Sequence, residues 1–373
     1  MKRNMKKTGL LLAAFVLLGC ENTLEYDFGR KEVRLMASGL LIQNEPVHMV
    51  SISLSGNGSV QVAENAKVTC YVNGTKVAEG RAYAADLPDP GEDGVYGSDD
   101  VEKDFRQLVV RFTADFMPGD EVYMEFEAND GRYKASSARL TVPGQPAIVG
   151  LDTTRVTESF MDQERYFWRA ALTVRDRAGE NDWYCIFGRE TDRGIWSFND
   201  GRPAVETSAD FIMYMESLDD PILLDGNMPE SDEFGLFSLT GDGSFAVFSD
   251  RMFRDRTAEL KVDVGPVSSW QVYSQMRHIL SNEHGASIAD VEEWRIERRL
   301  EIRFGCCSEE TYHYLRALRT VSSPDYMPEL MEPVRIPSNI RGGIGFVDII
   351  TGDAASFEIP PIDRNPYEYT DNF

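Results

Sequence analysis

Between residues 31 and 143 the apolar positions recur at every second residue. Val50, Ile52 and Leu54 share one face of the run 47–54; Leu108, Val110 and Phe112 do so in 107–112; Val122, Met124 and Phe126 do so in 121–127. Period two with polar partners predicts half-buried strands. Turn signals separate these runs: Ser55-Gly56-Asn57-Gly58, Asn73-Gly74, Pro118-Gly119-Asp120 and Asn129-Asp130-Gly131. Asn73-Gly74 suits a tight hairpin, where positive φ is needed. About seven such strands predict an immunoglobulin-like β-sandwich over 31–143. The prediction concerns architecture only, because no Cys–Trp–Cys pattern accompanies it. Val142-Pro143-Gly144-Gln145-Pro146 stops a strand and stiffens a link, which marks a domain boundary.

Residues 147–373 are predicted as a larger β-rich domain, less regular, with about two helices. Strands are expected over 167–175, 183–189, 194–199, 234–239, 244–249 and 258–264. Another is expected along Trp294, Ile296, Leu300, Ile302 and Phe304, where Arg298 interrupts the apolar face. One helix is expected near 268–281, with Trp270, Tyr273, Met276 and Leu280 at helical spacing. The other is expected near 308–320. There Ser308 is a cap, Glu309-Glu310 suits the positive N-terminal end, and Tyr312, Leu315 and Leu318 line one side. The stretch 360–373 reads as a polar surface tail.

The start of the chain has a different pattern. Lys2, Arg3, Lys6 and Lys7 precede an unbroken small and apolar run from Gly9 to Leu18, then Gly19 and Cys20. This is a secretory signal peptide over 1–19. Its apolar run is far shorter than the ~20 residues that cross a bilayer. Leu17-Leu18-Gly19-Cys20 resembles a bacterial lipobox, which makes Cys20 the expected lipidation site and 20–30 a tether to the bilayer. Two or three acyl chains anchor firmly at about 0.8 kcal/mol per buried CH₂.

Charge narrows the partners. The 373 residues hold 38 Lys plus Arg against 62 Asp plus Glu, a net charge of −24. Loss of the four basic residues with the signal leaves 34 against 62, or −28. Phosphate backbones attract the opposite sign, so nucleic acid is not an expected partner. Such a charge gives a strongly hydrated surface instead.

Chemistry-bearing residues are sparse. The cysteines after Cys20 are Cys70, Cys185, Cys306 and Cys307, too few for a disulfide framework. Cys70 and Cys185 read as small buried hydrophobes. Cys306 and Cys307 point to opposite faces of a strand, which places one in a core and leaves the other open to exposure. The four histidines form no zinc motif, and no Gly-x-Ser-x-Gly elbow or phosphate loop occurs. Catalytic residues and resident cofactors are therefore not expected. Asp89, Asp93, Asp99 and Asp100 offer a weak calcium loop, with Gly91 at a ligand place and Asp100 where Glu is usual. Trp183 and Trp196 are candidate ligand-surface aromatics, although tryptophan more often packs in a core. Gly342 and Gly343 read first as glycines that allow a close backbone approach or positive φ, with a ligand-cradling loop as the alternative.

Several segments in order resemble one family. They are 37–42, 66–69 with Asn73-Gly74, Pro118-Gly119-Asp120, 130–136, Phe248-Ser249-Asp250-Arg251-Met252-Phe253, 308–315, and Glu332-Pro333-Val334-Arg335-Ile336-Pro337-Ser338-Asn339-Ile340-Arg341-Gly342-Gly343-Ile344-Gly345-Phe346. The last is the most specific. Together they resemble the Bacteroidota lipoproteins catalogued as domain of unknown function 4249, across most of the mature chain. Residues 268–293 are longer than that pattern and read as an insertion. The resemblance implies an outer-membrane lipoprotein, surface-exposed or periplasm-facing, and an accessory ligand-binding or capping partner of a TonB-dependent receptor in nutrient uptake. It brings no catalytic residues. The alternatives are a structural or adhesive cell-surface lipoprotein and a secreted-type hydrolase. The hydrolase would need a cleft holding a paired acid of shifted pKa.

Overall fold

The computed structural model describes residues 32–56, 59–83, 108–160, 163–179, 181–216, 220–225, 245–322 and 333–366. The signal peptide, the tether with Cys20, the acidic loop with Asp89, Asp93, Asp99 and Asp100, and the strand expected at 234–239 lie outside these residues. Up to residue 143 the strands are β1 (Arg34–Ile42), β2 (His48–Gly56), β3 (Ser59–Val62), β4 (Ala66–Val72), β5 (Thr75–Ala82), β6 (Leu108–Phe112), β7 (Glu121–Ala128), β8 (Tyr133–Ser137) and β9 (Leu140–Thr141). Beyond it come β10 (Ala147–Phe160), β11 (Gln163–Arg175), β12 (Trp183–Phe198), β13 (Val205–Ile212), β14 (Tyr214–Glu216), β15 (Phe245–Ser249), β16 (Thr257–Gly265), β17 (Val291–Cys307), β18 (Ile340–Arg341) and β19 (Gly343–Ile362). Two helices, α1 (Ser269–His284) and α2 (Glu309–Ser322), complete them. The protein is mainly β, with two helices among the described residues.

A six-stranded sheet, β18-β8-β7-β4-β5 with β9 on β7, faces part of a nine-stranded sheet, β13-β12-β17-β19-β1-β2-β3 with β6 on β2 and β15 on β12. Their shared core takes Val50, Ile52 and Leu54 from β2, Leu108 and Val110 from β6, and Val122, Met124 and Phe126 from β7. Each strand gives alternate residues to it, as a sandwich requires. The β4–β5 hairpin turns through Asn73 and Gly74, both at positive φ. A four-stranded sheet, β10-β11-β16-β14, covers the other part of the large sheet through a second core around Leu172, Leu260 and Phe304.

β19 joins the two regions. Its first half runs parallel to β1, from Leu35 opposite Gly343 to Ile42 opposite Ile350. Its second half runs antiparallel to β17, with Cys306 opposite Thr351 and Ile296 opposite Ile362. One sheet therefore extends across residue 143. The tail expected from residue 360 starts later, because Pro360–Ile362 still belong to β19 and Ile362 is buried. Nor are 183–189 and 194–199 separate strands. β12 is continuous, because its polar middle is paired with β17 throughout.

α1 ends at Gly285, whose φ of 60° allows the closing bonds Gly285 N–H to Ser281 O (3.0 Å) and Ala286 N–H to Leu280 O (3.2 Å). Its buried stripe is Val272, Tyr273, Met276 and Leu280, which leaves Trp270 exposed. Ser308 caps α2 by accepting the Thr311 N–H at 3.1 Å. α2 also corrects the cysteine expectation. Cys306 faces the core beside Tyr184, while Cys307 packs with Cys185, Tyr312 and Leu315, so both are buried. A hydrogen bond with Cys185, and then burial, raise the Cys307 thiol well above its ordinary range.

Candidate functional site: a basic groove at the tether end

The stretch that carries the most specific resemblance packs backbone to backbone against β1. At Gly343 a Cβ would lie 2.5 Å from the Leu35 carbonyl oxygen, and at Gly345 it would lie 2.0 Å from that of Ala37. Gly345 also has φ +117°. Only glycine lets β19 start this close to β1. Asn339 clamps the same turn. Its side-chain amide donates to Val347 O at 2.7 Å, its oxygen accepts the Val347 N–H at 3.0 Å, and its own N–H reaches Gly345 O at 3.2 Å. Its carbonyl takes the Ala138 N–H at 2.7 Å, which ties the turn to the small sheet. Nothing in the sequence marked Asn339 for this role, since the partners are supplied by the fold.

Beside this turn lies a groove of about 470 Å³. Val33, Leu35 and Tyr133 supply its apolar wall, and Gly342 and Gly343 leave it open. Arg34, Arg132 and Lys134 are exposed along it, with Glu32 as the acidic member. Arg341, also exposed, pairs with Ser136 in the β18–β8 register next to the groove. The Arg132 guanidinium sits 5.5 Å from the Tyr133 ring centroid. Lys134 lies 3.4 Å from Glu127, whose other oxygen binds Lys67 at 2.7 Å. The hydrogen bond from Lys67 holds the Glu127 carboxyl below its ordinary range, so that acid stays ionised between two lysines. In a chain of −24, the groove is a local excess of positive charge. It also receives the first described residues, Glu32 and Val33, to which 20–31 lead.

The other sequence candidates do not join it. Trp183 and Trp196 lie near opposite ends of β12 and on opposite faces. Trp196 is fully buried, stacks with Trp294 at 5.9 Å and donates Nε1–H to Thr207 Oγ1 at 2.9 Å. It is a core residue under α1, not a ligand surface. Trp183 is half-buried against the Cys185, Cys307 and Tyr312 cluster. Among the described residues, no group of three or more metal-ligating side chains comes together.

Two buried polar networks were not read from the sequence. In the first, Glu190 and Asp192 of β12 and Arg298 of β17 sit between the Leu300 core and the Trp196 core. Arg298 Nε donates to Glu190 Oε1 at 2.8 Å, its Nη2 to the Val267 carbonyl at 2.5 Å, and Val267 N–H donates to Glu190 Oε2 at 2.7 Å. Neither Asp192 oxygen has a hydrogen-bond partner among the described residues, and Arg298 Nε lies 3.7 Å from its Oδ1. Burial first, and the Glu190 charge second, push its carboxyl up to about 8. In the second network the Tyr184 hydroxyl lies 2.6 Å from Asp176 Oδ1 and 3.0 Å from Asp182 Oδ2. Arg177 Nε reaches Asp182 at 2.9 Å, and Arg254 grips Asp250 at 2.8 and 3.0 Å. Burial raises Asp176 above its ordinary range. This network fastens the loops after β11 and β15 to the start of β12.

A paired acid of shifted pKa is thus present, but not in a cleft. Glu190 and Asp192 have no exposed surface, so no substrate reaches them in this conformation. A second groove, of about 530 Å³, lies along α1, where Ser274, Arg277, His278 and Ser281 meet the loop 285–288. His278 Nε2 there accepts from Asn282 Nδ2 at 2.8 Å.

A family model described as "Domain of unknown function (DUF4249)" matches residues 21–353 of the chain. No curated protein matches it.

Proposed function

The chain belongs to the family described as domain of unknown function DUF4249, and from that premise we propose that it is an outer-membrane lipoprotein, anchored through acylated Cys20. In this reading it serves a TonB-dependent receptor as an accessory that binds or caps the receptor's ligand. The observation that carries the anchor is the order basic segment, short apolar run, Leu17-Leu18-Gly19-Cys20. From Cys20 to Glu32 the chain then spans at most about 40 Å before it enters β1 beside the basic groove. The receptor partnership rests on the family resemblance.

A second reading, a stiff surface spacer, draws on the continuity of the nine-stranded sheet through both regions. A hydrolase reading gains no support from Glu190 and Asp192, because the acid with the raised pKa and its neighbour are both buried. The anchor is tested by metabolic labelling with a palmitate analogue. Wild type incorporates label and stays with the membrane fraction, whereas Cys20→Ala loses both. Label retained by the variant would refute the anchor.

A further inference from the structure

We infer that the basic groove is a docking surface for the phosphate headgroups of the bilayer to which the tether leads. The argument starts from charge. Arg34, Arg132, Lys134 and Arg341 gather at one place on a strongly acidic molecule, with Glu32 and the shared Glu127 as the nearby acids. Long-range repulsion between the acidic body and an anionic surface is screened beyond about 8 Å at physiological salt. Contact is then governed by the residues that touch, and a guanidinium suits a phosphate's oxygens in a bidentate fork. The groove supplies two of these, Arg34 and Arg132, beside the amine of Lys134. Tyr133, half-buried with Arg132 over its ring, has the amphipathic character of side chains at a membrane interface.

The second argument is position. Residues 21–31 lie between the anchoring cysteine and Glu32 on this groove. Their length of at most about 40 Å keeps this end of the body nearest the headgroups. At that effective concentration weak contacts suffice to orient the molecule. Each basic residue at an anionic surface strengthens binding by about fivefold. The result is a body held groove-down, with α1 and the four-stranded sheet presented elsewhere.

The inference takes from the proposed function only the direction of the tether, and its test supplies an independent one. The mature chain is coupled through an N-terminal hexahistidine to nickel-chelating lipid in phosphatidylcholine vesicles, with or without phosphatidylglycerol. Amine acylation is then followed residue by residue by mass spectrometry. Lys134 has a side chain 66% exposed. Lys76, 51% exposed at the opposite end of the small sheet, is the control. Lys134 labelling is expected to slow at least fivefold on phosphatidylglycerol vesicles while Lys76 is unchanged. Protection should vanish in 0.5 M salt and in Arg34→Glu/Arg132→Glu. Equal Lys134 rates on both vesicles, or protection that survives the double substitution, would overturn the inference. Protection on vesicles that free phosphate relieves at equal ionic strength would also overturn it, because the groove would then be a soluble-anion site.

Discussion

Asp192 makes the stability of this protein depend on pH in an unusual direction. Its carboxyl is buried beside Glu190, and Arg298 is turned toward Glu190, so its pKa rises from 3.8 to about 8. Between those values the folded chain holds a proton that the unfolded chain releases. Stability therefore falls as pH rises through the window, by about 1.4 kcal/mol per unit for this one group. From pH 5 to 7.5 the loss from Asp192 is about 3 kcal/mol. Asp192→Asn keeps the shape of the protonated acid and cannot ionise. The variant should match wild type only below about pH 3.8, exceed it by about 2 kcal/mol at pH 5 and by about 5 kcal/mol at pH 7.5, so that the gap widens by about 3 kcal/mol across the window. Urea unfolding followed by tryptophan fluorescence is the assay, since the Trp196–Trp294 stack lies on the same face of the same strands. Taking the difference between variant and wild type cancels the titrating groups that do not interact with Asp192. Parallel stability curves for the two proteins across pH 5–7.5 would show that Asp192 is not a buried, proton-holding acid, and the reasoning would fail.

Two more substitutions probe the frame. Gly345→Ala places a methyl group against the Ala37 carbonyl at a φ unsuited to alanine, and it should cost about 3 kcal/mol or more, read as a lower unfolding midpoint. An unchanged midpoint would mean that β1 and β19 are not in the observed register. Arg298→Met strands Glu190 and should cost about 3–5 kcal/mol. Adding Glu190→Leu should recover most of that loss in the same urea titration, and a double variant no better than the single would contradict the pairing.

The sequence was most readable where one strand alternates against one core. Val122, Met124 and Phe126 announce β7, and all three are buried. Asn73-Gly74 and the Ser308 cap were equally plain, because turn and cap chemistry is local. Reading failed where partners are distant along the chain. Arg298 looked like an interruption of an apolar face, and its reason, Glu190, lies 108 residues away. The parallel pairing of β1 with β19 joins the two ends of the described chain, and no local period encodes it. Val272 was missed and Trp270 overvalued, because the helical stripe is fixed by what α1 covers. At the groove, the glycines were visible as glycines. Their use became clear only with the β1 carbonyls beside them, and Arg34, Arg132 and Lys134 converge from separate strands and turns.

The proposed role is that of a lipoprotein that works at a receptor. Its most direct test is affinity capture of the tagged, lipidated protein from outer membranes solubilised in mild detergent, followed by identification of what accompanies it. The account predicts a TonB-dependent β-barrel receptor in near-stoichiometric yield from wild type. Repeated capture of the intact protein with no such receptor, after cross-linking in whole cells as well, would contradict it.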